Sequence, residues 1–221
     1  MICILKNGVN LYYRKEGAGK PLIMIHGNGE SNEIFKEAIE VLKTYFTVYA
    51  IDLRGHGKSS PIKEYHYMDM CNDLFEFIQK NNIQNSIFYG FSDGGIIGLL
   101  LASKHTNLFD FLIVSGANLS PNGIKTNWHF LYQFIYFFHR DSKLKMMLSE
   151  PNISFRDLSQ IKTKTLVLAG HNDMINKRHT TIIAQSILNS KLKILCGETH
   201  GSYMVHSDKI AYEILEFVRE N

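Results

Sequence analysis

The sequence predicts an α/β fold, a mostly parallel sheet flanked by helices, and three observations lead to it. Short, near-continuous apolar runs recur along the 221 residues, bounded by turn residues. Such runs suit strands covered on both faces, as in a parallel sheet. Between them lie segments of helical period: Met70, Leu74, Phe77 and Ile78 fall at i, i+4, i+7 and i+8, and Ile210, Ile214, Phe217 and Val218 repeat the spacing. Strand and helix therefore alternate, the pattern of right-handed βαβ units. Finally, a hydrophobic content of 45% with 20% charged residues describes one folded domain with a substantial core and excludes a disordered chain.

In chain order, Ile2 to Leu5 and Leu11 to Lys15 flank Asn7-Gly8 and read as an antiparallel hairpin. The parallel strands are expected at Leu22 to Ile25, Phe46 to Ile51, Ser86 to Tyr89, Phe109 to Val114, Thr165 to Ala169 and Leu192 to Leu195. From Asn118 to about Gln160 no strand candidate occurs, and Trp128 to Phe138 is densely aromatic. This stretch is expected to be a helical insertion between two strands, sitting as a cap above the strand ends. The domain is then a single unit, 1–221, with the insertion at about 118–160.

The charge pattern narrows the partners. A net charge of +3 is spread along the chain without a long Lys/Arg run, so nucleic acid is not an expected partner. Gly57-Lys58-Ser59 ends like a phosphate-binding loop, but Asp52 stands where that motif needs its first glycine. Neither H-E-x-x-H nor a close Cys/His cluster occurs, and neither a metal nor another cofactor is implied. Cys3, Cys71 and Cys196 are odd in number and widely spaced, which suits a reducing compartment. The apolar start ends at Lys6-Asn7, short of a signal-peptide core, and the aromatic run is too short and too polar to span a bilayer. A cytoplasmic location without a membrane partner is the expectation, and the Asn-x-Ser patterns at Asn118 and Asn152 then have no consequence.

Chemistry is indicated at Gly90-Phe91-Ser92-Asp93-Gly94, a G-x-S-x-G sequence directly after one strand and before a helix. Small neighbours permit a turn sharp enough to present the serine hydroxyl, and the helix points its first N–H groups at the reacting centre. A serine needs a positioned base, itself held by a carboxylate. His200 follows the last apolar strand and is therefore expected at a strand's carboxyl end, where sites form in open α/β sheets. Asp173 lies on the loop after the preceding strand and is the first choice for the carboxylate, with a helix N-cap as its structural alternative and Glu198 as the fallback acid. The backbone N–H groups of Asn28, in the glycine loop His26-Gly27-Asn28-Gly29, and of Asp93 are the expected oxyanion donors. His26 is read as structural. The aromatics of the insertion, Trp128 and Phe134 among them, are expected either to pack on the sheet edge or to line an apolar acyl pocket.

Together these residues resemble the α/β-hydrolase superfamily, whose chain order of nucleophile, acid and histidine is the order Ser92, Asp173, His200. The likeness runs through His26 to Gly29, Asp52-Leu53-Arg54-Gly55-His56-Gly57-Lys58-Ser59, the turn at Ser92, Gly170 to Asp173 and Thr199-His200. It implies an eight-stranded, mostly parallel sheet, a cap after the sixth strand and turnover through a covalent acyl-enzyme. A chain of this length leaves room for a small cap only, and the loop at Asn28 lacks the proline-rich form of proline iminopeptidases. A small carboxylic ester or thioester is the expected substrate. Carbon–carbon bond cleavage on the same triad, or a receptor that keeps the triad without turnover, are the alternatives.

Overall fold

The computed structural model describes residues 1–221. Eight strands form one sheet in the order β1-β2-β4-β3-β5-β6-β7-β8. They are β1 (Ile2–Ile4), β2 (Asn10–Glu16), β3 (Lys20–Ile25), β4 (Phe46–Ile51), β5 (Ser86–Phe91), β6 (Phe109–Ser115), β7 (Lys164–Asn172) and β8 (Ser190–Thr199). β1 pairs antiparallel with β2, and β2 antiparallel with β4. Every other pairing is parallel.

The apolar runs form central strands because both faces are covered. Alternate side chains serve two separate cores, as a period of two requires. Ile23, Ile25, Phe88, Leu112, Val114 and Val167 enter one core. Leu22, Met24, Ile87, Tyr89, Ile113 and Leu168 enter the other. The first core is closed by α2 (Tyr67–Lys80), α3 (Asp93–Lys104) and α7 (Lys177–Ser186), the second by α1 (Lys36–Leu42) and α8 (Lys209–Arg219). α3 is wedged so deeply that its residues from Asp93 to Leu99 are all buried, which accounts for its apolar character all round.

Between β6 and β7 the chain makes a 3-10 turn at Pro121–Gly123 and three helices, α4 (Thr126–His139), α5 (Ser142–Ser149) and α6 (Phe155–Ser159). An isolated bridge joins Ile124 to Ile175. The last two strands run further than their apolar cores suggest: β7 continues through Gly170, His171 and Asn172, and β8 through Gly197, Glu198 and Thr199. The sixth of the parallel-sheet strands is also an exposed edge, with Lys193 pairing with Glu213 and Glu216 of α8 and Lys191 with Glu220 just beyond it.

Candidate active site

Parallel pairing brings the carboxyl ends of β3, β5, β6, β7 and β8 to one edge of the sheet, and the residues that follow them converge there. Ser92 leaves β5 with φ 52° and ψ −110°, a left-handed conformation that a non-glycine residue adopts only under constraint. Its N–H donates to the Ser115 carbonyl over 2.8 Å, and its own carbonyl accepts the Ile96 N–H, opening α3. A side chain at Gly94 would collide with the Ile25 carbonyl, so only glycine allows the turn to close against β3.

Ser92 Oγ lies 3.1 Å from His200 Nε2, and His200 Nδ1 lies 2.7 Å from Asp173 Oδ1. Asp173 is buried; Oδ1 also accepts the Ile175 N–H over 2.8 Å, which fixes the carboxylate. It does not cap α7, whose N-cap is Asn176. Glu198 takes no part, since its two oxygens accept from Lys209 Nζ and Ser202 Oγ, and Lys209 foremost lowers its pKa. The imidazole of His200 packs on Phe91 with ring centroids 4.9 Å apart. It also fills the place of a side chain at Gly116: a Cβ there would stand 2.6 Å from His200 Cε1, at a residue with φ +62°.

Gly27 sits close to Ser92, and Asn28 follows it with a backbone N–H that has no acceptor within the chain. Asp93 is the first residue of α3, so its N–H has no intrahelical acceptor. The two N–H groups expected as donors are thus both free beside the serine. The loop carrying Asn28 is held from below. His26 is fully buried; its Nε2 accepts the Leu53 N–H over 3.0 Å, which leaves the proton on Nδ1 to bond the Gly27 carbonyl over 2.7 Å. Burial lowers its pKa to about 4, so the ring is neutral and structural. Asp52 accepts from the backbone and side-chain amides of Asn32 and from the Lys58 N–H, tying this loop to the one after β4.

The side chain of Asp93 was not singled out by sequence reasoning beyond its helix-terminal place. It is buried, accepting from Tyr67 Oη over 2.7 Å and Asn28 Nδ2 over 3.0 Å, and desolvation raises its pKa from 3.8 to about 6. The protonated form is therefore favoured by folding. Stability falls as pH rises from about 4 to about 6 and stays reduced above that. Asp93→Asn removes the loss, because Asn28 can turn its amide to present oxygen. The variant should be more stable than wild type at pH 8 by about 3 kcal/mol, roughly 6 to 12 °C in Tm, with the difference vanishing below pH 4. Melting curves across pH test this; an equal Tm at pH 8 would mean that the carboxylate is as well solvated as in the unfolded chain.

The cleft against Ser92 is lined by Tyr67, Asp93, Asn118, Ile124, Met147, Met174 and Ile175, and its volume is about 10 Å³, the room of a single water. Trp128 and Phe134 are absent from it. They are 40% and 65% exposed, which corrects the expectation that they line the pocket. The physical reason is that α4 presents His129, Tyr132, Ile135 and Tyr136 to the protein and leaves Phe130, Phe134, Phe137 and Phe138 outside. The lining comes instead from α2, α5 and the loop after β7, and only their packing brings them together.

Comparison with known proteins agrees with this architecture. The family model described as alpha/beta hydrolase fold matches residues 20–142, more than half of the chain, and the protein belongs to that family. It is 26% identical over 265 aligned positions to a putative non-heme chloroperoxidase of Synechocystis sp., covering 96% of this chain and 95% of that protein. It is 25% identical over 247 positions to the human serine hydrolase BPHL, covering 95% and 84%. The enol-lactonase of Burkholderia xenovorans LB400 superposes with a TM-score of 0.82 at 18% identity, covering 99% of this chain and all of that one, a likeness of fold. No helix is long and apolar enough to cross a membrane.

Proposed function

We propose that the protein hydrolyses a small carboxylic ester or thioester through a covalent acyl-enzyme on Ser92, with α4 to α6 as a small cap. The observation that carries this reading is the unbroken relay from Ser92 Oγ to His200 Nε2 at 3.1 Å and from His200 Nδ1 to Asp173 at 2.7 Å. Ser92 Oγ attacks the substrate carbonyl carbon while its proton passes to His200 Nε2. Asp173 holds the Nδ1–H and stabilises the imidazolium. The carbonyl oxygen gathers negative charge and is met by the N–H groups of Asn28 and Asp93 at the positive end of α3. Collapse breaks the ester bond, and His200 returns its proton to the departing alcohol or thiol. A water molecule, deprotonated by His200, then attacks the acyl carbon, and Ser92 leaves with the proton as the acid is released.

The test is covalent labelling by a fluorophosphonate, followed by kcat/KM against esters, thioesters and activated diketones of graded size. Labelling with ester turnover is expected. Labelling with turnover of the diketone alone would move the reading to carbon–carbon cleavage, and failure to label would leave a receptor. The closed cleft gives the reading a further consequence. Met147 lines the same cleft as Ser92 with a flexible, unbranched side chain. Met147→Ala should raise kcat/KM for longer acyl groups relative to acetate, by up to about fourfold per added methylene. Trp128→Ala and Phe134→Ala should leave the acyl profile unchanged. A profile insensitive to Met147 and altered by Trp128 would show that the cap adopts another arrangement over substrate.

A further inference from the structure

The outer face of α4 is an aromatic surface that the chemistry at Ser92 does not use. Phe130, Leu131, Phe134, Phe137 and Phe138 are 44 to 69% exposed. With about 150 to 250 Å² per aromatic side chain, this face leaves on the order of 600 Å² of apolar surface in water, the upper end of what the largest patch on a monomer presents. Its surroundings are basic. The chain has no Asp or Glu between Asp110 and Asp141, and none between Asp173 and Glu198. Lys125 caps the start of α4, and its N–H bonds the Met174 carbonyl, while the Asn176 N–H bonds the Gly123 carbonyl. Lys177 and Arg178 at the start of α7 are thereby brought beside the same end. At the other end the Arg140 guanidinium lies 5.5 and 5.7 Å from the ring centres of Tyr136 and Phe137. Asp141, the next acid along the chain, is engaged in capping α5 through the Lys143 and Leu144 N–H groups.

We propose that this face docks on an anionic lipid surface, the aromatics entering the boundary between headgroups and acyl chains while the cations at both ends of α4 pair with lipid phosphates. A second copy of the chain fits less well. Antiparallel pairing of two α4 helices would set Lys125, Lys177 and Arg178 against Arg140, and parallel pairing would set like ends together. Docking is distinct from spanning, for which the 14 residues of α4 are too few. Ile124, which lines the Ser92 cleft, lies two residues before α4, so the docked orientation brings the cleft near esters dissolved in the surface. The proposal stands independently of the catalytic role given to Ser92.

Co-sedimentation with vesicles tests it. Binding to phosphatidylcholine containing phosphatidylglycerol should exceed binding to phosphatidylcholine alone by on the order of tenfold and fall with added salt. The double variant Phe130→Ser/Phe138→Ser should lose binding to both. Arg140→Glu/Lys177→Glu should lose on the order of tenfold on the anionic vesicles only. All four positions are at the surface, so circular dichroism and Tm should stay at wild-type values. Absence of pelleting, equal binding to neutral vesicles, variants that bind like wild type, or a dimer that Phe130→Ser/Phe138→Ser dissolves would each overturn the proposal.

Discussion

Ser92→Ala should lower kcat by on the order of 10⁴ or more while leaving Tm close to wild type. The hydroxyl is the atom that forms the proposed acyl bond, and its removal leaves His200 with no proton to accept. The fold should tolerate the change because the backbone bonds that build the turn, Ser92 N–H to Ser115 and Ile96 N–H to Ser92, do not use the side chain. Relief of a serine held at φ 52° is not expected, since alanine meets the same steric cost. Steady-state kinetics with a chromogenic ester, beside fluorophosphonate labelling, decide the matter. Full esterase activity in the variant would remove Ser92 from the mechanism.

Asp173→Asn should cost on the order of 10³ to 10⁴ in kcat with a much smaller change in KM. The carboxylate accepts two N–H groups on Oδ1, from His200 and from Ile175. An amide there either keeps the Ile175 bond and weakens its hold on the ring, or turns its NH₂ toward Nδ1 and stabilises the tautomer that cannot take the serine proton. Glu198→Gln is the matched control. Glu198 is committed to Lys209 and Ser202, so its loss should change the rate by less than an order of magnitude. If Glu198→Gln were the more damaging change, the orienting group would have to be reassigned.

Much of this arrangement was legible because a parallel sheet converts sequence order into position. Each near-continuous apolar run is a central strand, each must end at the same edge, and a polar residue just beyond the run arrives at that edge. Ser92, Asp173 and His200 were found in this way, and so was the glycine loop at Asn28. The pocket was not legible, and α4 shows why. Its residues are apolar nearly all round, and periodicity states which faces are apolar without stating which of them a neighbour covers. Tyr132 is partly buried and Phe134 is exposed, although both are aromatic and two residues apart. The cleft residues Tyr67, Met147 and Met174 carry no motif at all. Asp93 was visible as a residue but not as a buried acid, because its pKa is raised by burial among elements distant in sequence, an effect that the hydrogen bonds from Tyr67 and Asn28 only partly offset.

On the proposed mechanism, the separation of Ser92 and His200 along the chain bears on how activity would be acquired. Ser92 and His200 are 108 residues apart, and the strand that delivers the histidine is the outermost of the sheet and the last in chain order. Closing so long a loop costs entropy that local helix formation does not recover, and parallel pairings of this kind form late. Helices such as α2 and α3 can therefore be present in a chain that is chemically inert. On the proposed mechanism Ser92 gains its base only when β8 has docked on β7, so catalytic competence would arrive together with the final strand.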